Sequence, residues 1–217
     1  MIILLARHGD TFAPGEPVTW VGARNDLALT SRGEAQAKDV GEWLKANHVQ
    51  PQKIIAGPLS RTLNFAQICR GIIGATIPVG VDERLGEIDY GEWSGLTSDE
   101  VARQFGAEAL ELWEKRSRWP QVGGWKGSAE EFTNEVEALT EELVKGDARM
   151  PLLVSSNGRL RYFLNLIPSA FDDQLADSGV KMRTGALSAL RIGTNPKVLF
   201  WNKRPMELGE REVTLLR

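Results

Sequence analysis

The chain has 217 residues, of which 42% are hydrophobic and 25% charged, with a formal net charge of -3 and a single cysteine. That balance excludes intrinsic disorder and disfavours a nucleic-acid partner, and the length suits one α/β domain burying about 70% of its unfolded surface. Cys69 alone supports neither an internal disulfide nor a thiolate metal cluster, which fits a reducing cytoplasm.

Met1 to Ala6 is a short apolar run ended by Arg7, without the basic start and long apolar core of a signal peptide, and no later stretch approaches a membrane span. Ile2 to Ala6 suits a strand buried on both faces, with Arg7, His8, Gly9, Asp10 and Thr11 at its carboxyl end. A long loop marked by Pro14, Gly15, Pro17 and Gly22 follows. Ser31 and Glu34 then have the spacing of a capping box, opening a helix with Ala37, Val40, Trp43 and Leu44 as its inner stripe. Lys53 to Ala56 is predicted as a second strand, and Ser60 as the N-cap of a helix to about Ile72. Val79 to Val81 suits a third strand.

Thr97 with Glu100 and Ser128 with Glu131 form two further capping boxes. The helix opened by Ser128 carries Phe132, Val136, Leu139 and Leu143 at helical spacing, a stripe expected to pack into the core. The connection Trp119 to Gly127 and its flanking helices are predicted to form a cap-like insertion, at about residues 97–149, over the mouth of the site. Trp113, Trp119 and Trp125 are expected to pack rather than to bind. Leu152 to Ser155 suits a strand, Asn157 to about Ile167 a helix, and Ala186 to Ile192 with Val198 to Trp201 a closing strand pair. The residues after Pro205 are expected to be a loose tail. The alternation predicts an α/β fold: a three-layer sandwich with a mostly parallel central sheet flanked by helices, in a single domain over residues 1–217.

Ligands of such sheets bind beyond the carboxyl ends of the strands. Arg7, His8 and Thr11 stand there after the first strand, Ser60, Arg61 and Thr62 after the second, and Ser155, Ser156, Asn157 and Gly158 after the Leu152 strand. Arginine offers a planar fork matched to phosphate oxygens, and a fixed imidazole, neutral near pH 7, is a good nucleophile towards phosphorus. Gly9 is expected to let the main chain approach the anion, and Gly158 to serve a turn or a close approach.

These residues resemble the histidine phosphatase superfamily, the phosphoglycerate-mutase-like proteins, whose signature Arg-His-Gly is Arg7, His8 and Gly9 here. The likeness continues through Gly22 to Gln36, with Asp26, Leu29, Thr30 and Gly33, and through Pro58 to Thr62. It resumes from Glu83 to Gly95, with Glu87, Gly91 and Trp93, and again from Val154 to Arg161. The resemblance implies that His8 becomes phosphohistidine and that Arg7 and Arg61 bind the phosphoryl oxygens. It also implies that Glu87 protonates the departing alkoxide and then activates water; no metal or other cofactor is implied. A carboxyl acid of raised pKa suits that role, and Glu83 is the rival candidate, expected at the surface.

One position departs from the family. A second histidine is usual just after the strand equivalent to Leu152 to Ser155, and Ser156 stands there. The other histidine, His48, precedes the second strand, whereas Arg61 follows it, and a strand of about five residues separates its ends by about 16 Å. Losing one oxyanion-type donor slows a reaction by roughly 10²–10³-fold unless other groups compensate. Ser156 and Asn157 are assigned to phosphate binding, Thr11, Arg161 and Arg183 are candidates for substrate binding, and Arg159 and Lys181 are further cations available to compensate. The function expected is a metal-independent phosphatase acting on a small phosphorylated metabolite. A mutase-type phosphotransferase, with Arg116 and Arg118 holding a substrate carboxylate, and a phospho-ligand-binding protein without turnover are the alternatives. Neither nucleic acid nor membrane is expected as a partner, and a monomer or a small homo-oligomer both fit.

Overall fold

The computed structural model describes all 217 residues. Six strands form one sheet in the order β3-β2-β4-β1-β5-β6, with β1 Ile2–Arg7, β2 Lys53–Ala56, β3 Val79–Val81, β4 Pro151–Ser155, β5 Leu187–Arg191 and β6 Lys197–Lys203. The first four are mutually parallel, and β5 and β6 add an antiparallel edge. β1 and β4 lie at the centre, in register from Leu4 opposite Leu152 to Arg7 opposite Ser155.

The uninterrupted apolar run of β1 follows from that position. Ile3 and Leu5 face one core and Leu4 and Ala6 the other, because successive side chains leave a strand on opposite faces. On the Leu4 face pack α1 Ser31–Ala46 and α2 Ser60–Ile73, through Ala37, Val40, Leu44, Phe65, Ala66 and Cys69. On the Ile3 face packs α5 Ala129–Lys145, through its predicted stripe Phe132, Val136, Leu139 and Leu143. The remaining helices are α3 Ser98–Phe105, α4 Ala107–Arg116, α6 Asn157–Leu160, α7 Ala170–Asp177 and α8 Glu210–Leu215. No helix is long and apolar enough to cross a membrane.

Several local expectations are corrected. The N-cap of α1 is Thr30, whose hydroxyl accepts from the Gly33 N–H at 3.1 Å; the third helical position is then a glycine, so the capping box expected from Ser31 and Glu34 does not form. The N-cap of α2 is Leu59; Ser60 is the first helical residue, and its hydroxyl and N–H both donate to Asp26 Oδ1 at 2.8 Å. The segment after β4 is a short α-helix continued as a tighter 3-10 turn from Arg161 to Leu166, rather than one helix to Ile167.

The loose tail is also corrected. A 3-10 turn at Pro205–Glu207 leads into α8, which inserts Val213 and Leu216 into the core shared with α1 and α2, and the buried Glu212 accepts from Lys203 Nζ at 2.6 Å. Leu216→Ala should therefore lower the unfolding free energy by about 2–3 kcal/mol in urea titrations followed by tryptophan fluorescence. A change within about 0.5 kcal/mol, typical of an exposed position, would restore the loose-tail reading.

Candidate active site

The carboxyl ends of β1, β2 and β4 meet at one edge, laced together by the main chain. The His8 N–H donates to the Ser155 carbonyl at 3.1 Å, and the Gly57 N–H to the Val154 carbonyl at 3.0 Å. Beyond that edge opens a cavity of about 460 Å³ whose walls include Arg7, His8, Thr11, Arg61, Glu87, Asn157 and Arg161. Of the residues expected at the site, Ser156 and Arg183 are not part of its lining.

His8 is 5% exposed, and its Nδ1 lies 2.7 Å from the Gly9 carbonyl. A carbonyl oxygen only accepts, so this bond assigns the proton to Nδ1 and leaves the Nε2 lone pair, which has no protein partner, for the cavity. Burial, then the charges of Arg7 and Arg61, hold the imidazole well below the ordinary histidine value of 6.5. The ring is therefore neutral at pH 7.

Gly9 does a different job from the one expected. A Cβ there would stand 2.3 Å from the Gly33 carbonyl oxygen, and a Cβ on Gly33 would stand 2.3 Å from that of Asp10. The two glycines press main chain against main chain, with the Thr30 N–H donating to the Asp10 carbonyl at 2.9 Å and the Asp10 N–H to Gln36 Oε1 at 2.8 Å. This seats the start of α1 on the loop that carries His8.

Both arginines beside His8 are held by carbonyl oxygens. Arg61, 2% exposed, donates from its two terminal nitrogens to the carbonyls of Asn25 and Gly22, each at 2.9 Å. Arg7 donates to the Met182 carbonyl at 2.6 Å, and its buried Nε has no partner. Burial lowers both guanidinium pKa values, Glu87 opposes it as the leading nearby charge, and both groups stay cationic because arginine starts so high.

Glu87 follows a 3-10 turn, Glu83–Leu85, that is tied to β4 by the Ser155 hydroxyl donating to the Leu85 carbonyl at 2.6 Å. Its carboxylate accepts the Ile88 N–H at 2.8 Å and the Gly158 N–H at 3.1 Å. A Cβ on Gly158 would fall 2.2 Å from Glu87 Oε1, so the glycine is required by close approach. Glu83 is exposed and outside the cavity.

The remaining candidates separate by their partners. Asn157 turns its Oδ1 to the Met182 N–H at 2.9 Å. Arg161 is buried in the cavity wall, with its guanidinium carbon 4.1 Å above the centre of a Trp113 ring and one terminal nitrogen 2.8 Å from the Ser117 hydroxyl. Ser156 is corrected: its hydroxyl is buried without a partner, off the cavity. Arg183 is corrected too, because Glu207, at 3.0 Å, and Asn202 hold it on the surface. Arg159 is taken by Glu135 at 2.6 Å and the Gly86 carbonyl at 2.9 Å. His48 ends α1 in a left-handed conformation, φ 56°, away from the site.

Sequence reasoning missed part of the cavity wall. Trp20, Tyr90 and Arg32 line it, as does the loop from Phe12 to Gly22. That loop is pinned to the segment before α3, with the Trp20 N–H donating to the Leu96 carbonyl at 2.8 Å and the Gly95 N–H to the Trp20 carbonyl at 2.7 Å. The expected cover is also revised. Ser98, Trp113 and Glu114 of α3 and α4 reach the cavity, whereas the connection Trp119 to Gly127 does not. Trp119 and Trp125 instead pack edge-to-face against Trp113, with ring centres 6.2 and 4.8 Å away. Arg116 and Arg118 also lie outside the lining. No three His, Cys, Asp or Glu side chains are placed to hold a metal ion.

Two measurements test this geometry. Because the His8 pKa is lowered, the neutral ring should persist as pH falls through 6.5, and its NMR signals should begin to move only at more acid pH. Half-protonation near 6.5 would contradict the buried setting. Gly158→Ala should displace the Glu87 carboxylate and reduce turnover by about 10²-fold while His8 and the fold stay in place, which kinetics and circular dichroism together would establish.

A model of the histidine phosphatase superfamily, branch 1, matches residues 3–203. A 2,3-bisphosphoglycerate-dependent phosphoglycerate mutase of Mesorhizobium japonicum is 32% identical over 215 residues, 97% of this chain and 97% of that one. The mutase of the same name from Bifidobacterium longum strain DJO10A is 34% identical over 121 residues, 54% of this chain and 48% of its own, so the chain spans about half the length of that relative. Among solved structures, the mycobacterial glucosyl-3-phosphoglycerate phosphatase superposes with a TM-score of 0.76 at 23% identity, covering 94% of this chain and 99% of that one. The alpha-ribazole phosphatase of Shigella flexneri gives 0.72 at 23% identity, covering 94% and 97%. At that identity the likeness is one of fold. With the family model matched along nearly its entire length, the chain belongs to the histidine phosphatase superfamily.

Proposed function

We propose that the protein is a metal-independent phosphatase that hydrolyses a small phosphorylated metabolite through a phosphohistidine at His8. The observation that carries this reading is a buried, neutral imidazole with a free Nε2, beside the half-buried Arg7 and the buried Arg61, with a carboxylate on the same cavity.

In the first step Nε2 attacks phosphorus as the bond to the leaving oxygen breaks. Glu87, as the acid, gives that oxygen its proton, so the alcohol departs neutral. Arg7 and Arg61 balance the charge on the phosphoryl oxygens, and the Nδ1–H bond to Gly9 holds the ring aligned while it carries the phosphoryl group. In the second step the Glu87 carboxylate takes a proton from water as the water oxygen attacks phosphorus. The P–N bond breaks, its electrons return to Nε2, and inorganic phosphate leaves.

A second reading is a phosphoglycerate-mutase-type transferase, favoured by the full-length likeness to the Mesorhizobium japonicum enzyme. It requires cationic contacts to a substrate carboxylate, and Arg116 and Arg118, the residues expected to make them, are not on the cavity.

His8→Ala should abolish phosphate release from a panel of phosphomonoesters assayed with EDTA, and Glu87→Gln should slow it by about 10²–10⁴-fold. Full turnover by the His8 variant would overturn the nucleophile. Conversion of 3-phosphoglycerate dependent on 2,3-bisphosphoglycerate would favour the mutase, and phosphate binding without release a non-catalytic protein.

A further inference from the structure

We propose that Lys181 is a catalytic residue whose ammonium group contacts the transferring phosphoryl group, filling a place that Ser156 leaves empty. The inference rests on the phosphohistidine reading and adds a residue to it.

Lys181 opens the segment Lys181 to Gly185, which is strapped along the end of β1 by hydrogen bonds from both main chain and side chains. The Met182 carbonyl accepts from Arg7 at 2.6 Å, and the Met182 N–H donates to Asn157 Oδ1 at 2.9 Å. The Gly185 N–H is 3.2 Å from the carbonyls of both Arg7 and His8, and Thr184 bonds to Asp10. The residue adjoining Met182 is thus fixed beside both Arg7 and Asn157, and the Lys181 side chain lines the same cavity as His8.

The other cations that could serve there are already partnered, Arg161 within the cavity wall itself. Arg159 and Arg183 are bonded to Glu135 and Glu207, and Arg161 is held over Trp113 by Ser117. Lys181 takes part in no ion pair and no side-chain hydrogen bond, so its three N–H donors are free. Lys181 is exposed, and partial desolvation of its ammonium, then the charge of Arg7, lower its pKa, with Glu114 opposing and Arg161 adding to the shift. Ser156, by contrast, has its hydroxyl buried and outside the cavity. Lys181 donates hydrogen bonds to a non-bridging oxygen throughout and transfers no proton.

The test compares the unaltered protein with K181M, K181R and H8A by calorimetric titration with orthovanadate, which takes the five-coordinate geometry of the transferring group, and by turnover where a substrate is found. K181M should bind vanadate at least about tenfold more weakly and lose about 10²-fold in kcat, with K181R recovering much of both and all thermal midpoints unchanged. K181M behaving as the unaltered protein would overturn the proposal, as would equal impairment of K181M and K181R, which marks a packing role. Absence of vanadate binding in the unaltered protein, or binding undiminished in H8A, would instead overturn the phosphohistidine reading beneath it.

Discussion

The site is organised by positive charge buried without carboxylate partners. Arg7 and Arg61 lie beside a neutral histidine; the carbonyls of Gly22 and Asn25 hold Arg61 and that of Met182 holds one terminal nitrogen of Arg7, whose buried Nε is left without a partner. Burying a charge in this way is unfavourable unless its hydrogen bonds are met, and carbonyl dipoles meet them without neutralising the charge. Those carbonyls come from two different loops, the β1–α1 connection and the segment before β5. The loops must therefore be held rigidly, and much of the surrounding architecture does that holding: the Gly9 and Gly33 contact, the Asp26 bond to Ser60, and the Ser155 bond to Leu85.

The same field bears on the two side chains to which the proposed function gives the chemistry. His8 is pushed towards its neutral form by Arg7 and Arg61, the state a nucleophile needs. Glu87 is placed by two main-chain N–H donors, one of them from Gly158, where any side chain would collide with it. Beneath the far wall, Trp20, Tyr90, Trp93, Trp113 and Trp125 form a continuous aromatic cluster with neighbouring ring centres 4.6 to 6.5 Å apart. That cluster supports the loop and the helix on which Arg161 rests.

The sheet and most of its helices were legible in the sequence because burial on both faces leaves a plain apolar signature, as in Ile2 to Ala6 and Leu152 to Val154. The positions of Arg7, His8 and Arg61 followed from strand ends. Arg161 and Arg183 were both candidate substrate-binding cations in the sequence, and only the third dimension separates them: Trp113 receives one and Glu207 the other. The C-terminal helix escaped notice because six residues with two apolar members carry too little periodicity to register. Trp20 was hidden for a related reason, since the loop around it takes its order from distant aromatic partners rather than from local propensity.

The pairing of Trp20 with Leu96 and Gly95 joins the two sides of the cavity's rim into one hydrogen-bonded unit before any ligand arrives. The conformational entropy of ordering that loop is lost during folding, so it is not subtracted again from the free energy of association. A phosphorylated compound would meet a finished opening, and discrimination among such compounds would come from the fixed shape of its walls rather than from a closing motion that selects the right one.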